Sequence, residues 1–174
     1  MTGVLEDYID YLKPGETITD RKLEKAINNL NDLPGVIARA VLSPGSQPGT
    51  TNVDIEVDRR PVWNNYVFVD NGGSYYSGRY RYGFNTEINN PGKNGDKFTI
   101  NGMLSSHDVK NYGILYETPV GNRGTRAGIA YSQTNYEINS NSLYNTLGKS
   151  KGLSIYGITP LYRDKSNRLT AIYG

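Results

Sequence analysis

Two hydrophobic periods divide the chain. Leu23, Ala26, Ile27 and Leu30 recur at i, i+3, i+4 and i+7, which places them on one stripe of a helix. Thr19 is the predicted N-cap, Ile18 and Leu23 take the N′ and N4 positions of a hydrophobic staple, and "LPGV" at Leu33 to Val36 stops the helix. Ahead of it, "LEDYIDYL" (residues 5 to 12) reads as a shorter helix ended by Pro14 and Gly15. "VIARAVL" then reads as a strand, "SPGSQPGT" as a Pro/Gly connection and "NVDIEVD" as a second strand. The first sixty residues thus predict an α-α-β-β order, a small sheet covered by helices.

In "NVDIEVD", Val53, Ile55 and Val57 point one way and Asp54, Glu56 and Asp58 the other. Three carboxylates on one strand face are either a cation site or the solvated face of the sheet. The stretch lacks the Gly-assisted bend of an oxygen-ligand loop, which favours the solvated face.

After residue 60 the period becomes two. In "RYRYGFNTEIN", Tyr80, Tyr82, Phe84, Thr86 and Ile88 alternate with Arg79, Arg81, Gly83, Asn85, Glu87 and Asn89, so one face is aromatic and the other polar. "NPGKNGD" turns the chain, and Phe98, Ile100, Gly102 and Leu104 alternate with Lys97, Thr99, Asn101 and Met103. Beyond "SSHDVKN", Ile114, Tyr116 and Thr118 oppose Glu117, with Pro119 at the end. "GNRG" leads to Ala127, Ile129 and Tyr131 alternating with Arg126, Gly128, Ala130 and Ser132. The runs "LSIYGITPLY" and "LTAIYG" follow, separated by "RDKSNR".

Composition agrees with strands and turns. The 174 residues suffice for one domain or two small ones and include 20 glycines, 8 prolines and 15 tyrosines, with only 36% hydrophobic residues. A net charge of +2 from scattered Lys and Arg does not point to nucleic acid. Cysteine is absent, which excludes disulfides and thiolate metal sites. No stretch approaches the ~18 consecutive apolar residues of a membrane-spanning helix, and "MTGVLEDYIDYL" lacks the basic start and apolar region of a signal peptide.

Alternation alone fits a soluble β-sandwich. Runs of about ten residues, aromatics near their ends and turns alternating short with long instead match a transmembrane β-barrel. In that reading "NPGKNGD", "GNRG" and "RDKSNR" are short periplasmic turns, while "SSHDVKN" and "NSNSLYNTLGKSKG" (residues 139–152) are loops on the extracellular side. The polar second face also argues against a sandwich, whose two sheets both present apolar residues to a shared core.

Five motifs in order, "LNDLPGVIARAVLSPGSQPGTTNVDIEV", "VDNGGSYYSGRYRYG", "NNPGKNGD", "YETPVGNRGTRAGIAYS" and "TPLYRDKSNRL", carry a closer resemblance. Over nearly its whole length the chain resembles the outer-membrane transporters of two-partner secretion, the haemolysin activation/secretion proteins. The resemblance implies an α+β POTRA module followed by an antiparallel transmembrane β-barrel segment. Residues 1–60 would be a partial second POTRA domain, periplasmic, and residues 61–174 about seven strands of a sixteen-stranded barrel in the outer membrane of a Gram-negative bacterium. The family's signal peptide, plug helix, first POTRA domain and later strands are not among these residues, so the chain is expected to be an internal fragment that transports nothing alone, because seven strands leave two unpaired edges.

The implied function is secretion and activation of a large partner exoprotein, a haemolysin or adhesin, received unfolded. POTRA domains bind extended chains by sheet-edge augmentation, and the resemblance puts that contact on Val36, Ala38, Ala40 and Leu42 and on the helix residues Leu23 and Ile27. In the barrel reading Arg79, Arg81 and Glu87 face the lumen while Tyr80, Tyr82, Phe84 and Ile88 face outer-membrane lipid. A soluble β-rich carbohydrate- or protein-binding module is the alternative. No enzyme, cofactor or metal site is expected. Ser105, Ser106, His107 and Asp108 are chain neighbours that cannot converge as a triad, and "LGKS" falls short of a phosphate loop because Leu143 stands where its first glycine belongs.

Overall fold

The computed structural model describes residues 8–9, 12–107, 109–139, 145–163 and 167–174. Helix α1 (Asp20–Asn31) begins where the hydrophobic stripe predicts. Thr19 is extended at φ −112°, ψ 150°, and its Oγ1 accepts the Lys22 N–H at 3.3 Å. The cap satisfies one orphan donor, and Asp20 adds a favourable charge at the same end. The Asp32 N–H closes the last turn on the Asn28 carbonyl at 3.0 Å, and Gly35, at φ +81°, swings the chain into the first strand. Of the shorter helix expected at residues 5 to 12, Tyr8 and Ile9 are helical, and 5–7, 10 and 11 lie outside the described residues.

Strands β1 (Val36–Pro44) and β2 (Thr51–Arg59) form an antiparallel pair from Val36↔Arg59 to Pro44↔Thr51. Ser43 and Pro44 extend β1 beyond the expected boundary, and Pro44 is tolerated because β1 is an edge strand. The side of this hairpin that carries Val36, Ala38 and Ile55 packs on α1, joining Leu30, Leu33, Tyr8, Ile9 and Ile27 in one core. Burial of four or five such side chains, at about 1.5–3 kcal/mol each, holds the helix to the hairpin.

Seven more strands follow in strict sequence: β3 (Trp63–Asp70), β4 (Arg81–Asn89), β5 (Lys97–Ser105), β6 (Lys110–Pro119), β7 (Arg126–Asn139), β8 (Asn145–Arg163) and β9 (Arg168–Tyr173). They form one antiparallel sheet in that order, an up-and-down meander with β3 and β9 at its open edges. Its distribution of burial is the reverse of a soluble sheet. All the buried apolar side chains among the described residues lie between Tyr8 and Ala38, whereas the buried side chains of the large sheet and its turns are Asp96, Thr99, Glu117 and Gln133. Among the described residues there is no sandwich core. Tyr82, Phe84, Ile114, Leu153 and Ile155 are all exposed.

Three boundaries differ from the pattern. The first run starts at Arg81, because Arg79 and Tyr80 belong to a connection in which Gly78, at φ +94°, bends the chain and Tyr80 is tied to Ser106 by two hydrogen bonds. Of residues 139–152, expected as a loop, 139 and 145–152 are strand and 140–144 lie outside the described residues: the β7–β8 ladder runs past the last β6 pair, Lys110↔Asn135, to Asn139↔Asn145. Polar side chains do not prevent pairing where both faces meet water, since the backbone alone supplies the ladder. The third difference is a bulge between Pro160 and Tyr162, where proline's missing N–H interrupts the β8–β9 register.

Candidate functional site

Residues paired across strands share a face, so the register converts the sequence into rows. One row of the polar face runs Asn89, Lys97, Glu117, Gly128, Tyr156. Lys97 Nζ lies 3.1 Å from Glu117 Oε2, and the Tyr156 hydroxyl donates to Glu117 Oε1 at 3.1 Å. Glu117 is 7% exposed, so its charge is held by two partners rather than by water. A row nearer the other end pairs Asn111 with Thr134, whose Oγ1 accepts from Asn111 Nδ2 at 2.8 Å.

The predicted polar-face residues occupy this side with one reservation of place. Arg81 pairs in register with Asp70 and binds it through Nε at 2.7 Å, and Asp70 also accepts the Gly72 N–H at 2.8 Å. Glu87 pairs with Asn64, which donates to it at 3.4 Å. Arg79 is exposed in the connection before β4 and belongs to neither face. On the opposite face Tyr82 and Phe84 are exposed and Ile88 is half-buried, while Tyr80, also exposed, precedes the strand.

Aromatic rings cover glycines on both faces. Tyr156 overlies Gly128 and Phe68 overlies Gly83 on the polar face, and Phe84 overlies Gly102 on the aromatic face; a Cβ at any of these glycines would overlap the ring. Each pair is directly opposed in the ladder. The rings thereby shield backbone that glycine leaves bare.

In the N-terminal unit, the six residues expected to receive a partner divide by burial. Val36 and Ala38 are fully buried against the helix, Ala40, Leu23 and Ile27 are half-buried, and Leu42 is 55% exposed. Asn31, the last residue of α1, binds the β1 backbone as a neighbouring strand would: its Oδ1 accepts the Ala38 N–H at 2.9 Å and its Nδ2 donates to the Ala38 carbonyl at 2.9 Å. Sequence reading missed this residue, since an Asn at a helix end signals only a cap.

The unit is seated on one end of the large sheet. Leu33 packs against Gly95 of the 90–96 turn, and Arg168 reaches Asp32 at 3.8 Å. The turn itself is set by Asp96, 1% exposed, which accepts the Gly92 N–H and the Tyr116 hydroxyl at 3.0 Å. Burial raises the Tyr8 phenol above its ordinary pKa, with Arg126 opposing and Asp32 reinforcing the shift. Arg39 pairs with Asp58 across the β1–β2 hairpin, so one of the three strand carboxylates has an arginine partner. His107 Nδ1 lies 3.4 Å from Ser106 Oγ; Asp108 and Leu143 are outside the described residues.

An open, sequentially wound antiparallel sheet with a polar buried face and an exposed aromatic face defines a segment of a β-barrel class of membrane protein. A family model for the haemolysin secretion/activation protein ShlB/FhaC/HecB matches residues 49–174, and the chain belongs to that family. Its members are outer-membrane β-barrel proteins of Gram-negative bacteria. The heme/hemopexin transporter protein HuxB of Haemophilus influenzae strain 86-028NP is 34% identical over 158 residues, covering 89% of this chain and 28% of that protein. HuxB of strain ATCC 51907 is 32% identical over 157 residues, with the same shares covered. Among solved structures, CdiB from Escherichia coli superposes with a TM-score of 0.73 at 21% identity, over 94% of this chain and 32% of that one. CdiB from Acinetobacter baumannii gives 0.67 at 18% identity, over 98% and 33%. The chain therefore spans about a third or less of the proteins it matches, and the soluble binding-module alternative finds no support among them.

Proposed function

We propose that this chain is part of an outer-membrane transporter that passes a large, unfolded partner exoprotein to the cell surface by two-partner secretion. Residues 61–174 contribute barrel strands whose aromatic face meets lipid and whose polar face lines an aqueous passage. Residues 1–60 form a periplasmic POTRA-type module that receives the partner along the β1 edge. No covalent chemistry is required: translocation needs a wet path and a transient backbone contact.

The observation that carries this reading is the reversed burial of the large sheet, with Glu117 and Thr99 buried and Phe84, Ile114 and Ile155 exposed. Charge on a lipid face costs roughly 2–4 kcal/mol for Arg or Lys at mid-membrane, so the register with Arg81 facing lipid is strongly disfavoured. The test is deletion of the gene that carries this chain, followed by mass spectrometry of the surface and medium. Loss of one large exoprotein, restored by complementation, supports the function; an unchanged secreted set overturns it.

A further inference from the structure

The aromatic face changes character at the end of the sheet away from the N-terminal unit. Counting outward across β6, β7 and β8, one row is Tyr116, Ile129, Ile155 and the next is Ile114, Tyr131, Leu153. Then come Tyr112, Gln133, Lys151 and finally Lys110, Asn135, Lys149. Two rows of aromatic and aliphatic side chains, all exposed except the half-buried Tyr131, thus give way to three exposed lysines. Among the described residues none of the three is in an ion pair, although acidic groups elsewhere in the sheet are paired. Lys110, Asn135 and Lys149 line one depression of 640 Å³, and its sole carboxylate among the described residues is Glu137.

We propose that Lys110, Lys149 and Lys151 form a docking surface for the phosphate-bearing headgroup of the glycolipid in the outer leaflet of the outer membrane. The proposal rests on the barrel reading above, which places the end opposite the N-terminal unit at the cell surface. Acyl chains cover the rows from Tyr116 to Leu153. The next rows stand at headgroup depth, where an aqueous face needs no cluster of uncompensated cations but a phosphorylated one matches it. Asn135, between Lys110 and Lys149 in register, has its Oδ1 held by the buried Gln133 amide at 2.9 Å, which leaves its own amide hydrogens as donors to the same phosphate oxygens. Strand spacing of about 4.8 Å puts Lys110 and Lys149 roughly 10 Å apart, a span their side chains can close on one or two phosphates.

The experiment uses the intact transporter that contains this chain, purified in detergent and titrated with bisphosphorylated lipid A or with lipid A stripped of both phosphates, bound lipid being read by native mass spectrometry. Each lysine beside an anionic leaflet contributes about fivefold in affinity, so K110Q/K149Q/K151Q is expected to lose roughly a hundredfold for the bisphosphorylated lipid. Lys93→Gln, in the 90–96 turn at the opposite end, should change nothing. Equal retention of stripped and bisphosphorylated lipid A by the native protein, or undiminished binding by the triple variant, overturns the proposal. Ile155→Cys separates the two levels: labelling by a lipid-soluble reagent keeps the barrel reading intact whichever way the lipid A titration falls, and labelling only by a water-soluble maleimide sinks that reading itself.

Discussion

Tyr156 lays its ring across Gly128 and donates its phenol hydrogen to Glu117 at 3.1 Å, so a single side chain on β8 reaches over β7 to a carboxylate on β6. The reach exists only because position 128 has no Cβ. Gly128→Ala should displace the ring, break that bond and leave Glu117 with Lys97 as its remaining partner. The expected loss is about 1–3 kcal/mol, the usual cost of stranding a buried polar group. Tyr156→Ala should in turn mask most of the Gly128→Ala effect, because the ring that clashes is gone. Thermal unfolding of the transporter, followed by its migration in detergent gels, reads both; equal stability of Gly128→Ala and the native protein would remove the argument.

The two faces of β4 make opposite predictions at adjacent positions. With cysteine at 81, a water-soluble thiol reagent should label the assembled protein, and with cysteine at 82 it should not. Labelling at 82 alone would reverse the register. Phe84→Arg carries the same test into energetics, with an expected penalty of roughly 2–4 kcal/mol if the residue sits near mid-membrane.

Much of this arrangement was legible because side chains in a strand repeat every two residues, and one face of β4 to β7 is mainly aromatic or aliphatic from Tyr82, Leu104, Tyr112 and Tyr131 toward the N-terminal unit. The α1 stripe and its Thr19 cap were readable for the same reason, a local period with a local stop signal. β3 was not. Its sequence "WNNYVFVD" puts Val67 and Val69 on one face and Tyr66 and Phe68 on the other, so alternation fails. Phe68 turns to the polar face because the bare backbone of Gly83 lies beneath it. Nor does any local signal announce that Asp96 is buried, because its partner Tyr116 is twenty residues away and meets it only once β5 and β6 have paired. The outer half of the β7–β8 hairpin looked like a loop since its side chains are polar, yet backbone pairing is indifferent to that.

Asn31 makes a prediction about the N-terminal unit. Its amide closes both polar groups of Ala38 on the free edge of β1 and leaves Ala40 and Leu42, the next residues aimed along that edge, for any added strand. Asn31→Ala should speed hydrogen exchange at the Ala38 amide by tenfold or more, since a lost bond of about 1.5 kcal/mol corresponds to that factor. Asn31→Asp should fall between the two: a carboxylate still accepts from the Ala38 N–H but cannot donate to its carbonyl. Site-resolved exchange that leaves Ala38 equally protected in all three proteins would show the clamp to be energetically idle.

The last prediction concerns how the N-terminal unit is fixed to the sheet. Gly95 adopts φ +76° and faces Leu33, whose Cδ2 would lie 2.8 Å from any Cβ added there. Two penalties then coincide at one residue, left-handed backbone that disfavours side chains and a steric collision with a core leucine. Because Leu33 belongs to the core with Leu30, Val36 and Ala38, it cannot retreat without opening that core. Gly95→Val should therefore act on the contact between the unit and the turn more than on the sheet, whose ladder from Lys97 onward does not involve position 95. Limited proteolysis distinguishes the two: faster cleavage around residues 60–62 with an unchanged resistant sheet is expected. Leu33→Ala should relieve the collision and partly restore resistance when combined with Gly95→Ala, though not with Gly95→Val, whose branched side chain also strains the backbone. Cleavage at the native rate in Gly95→Val would mean that Leu33 and Gly95 touch without holding the two parts together.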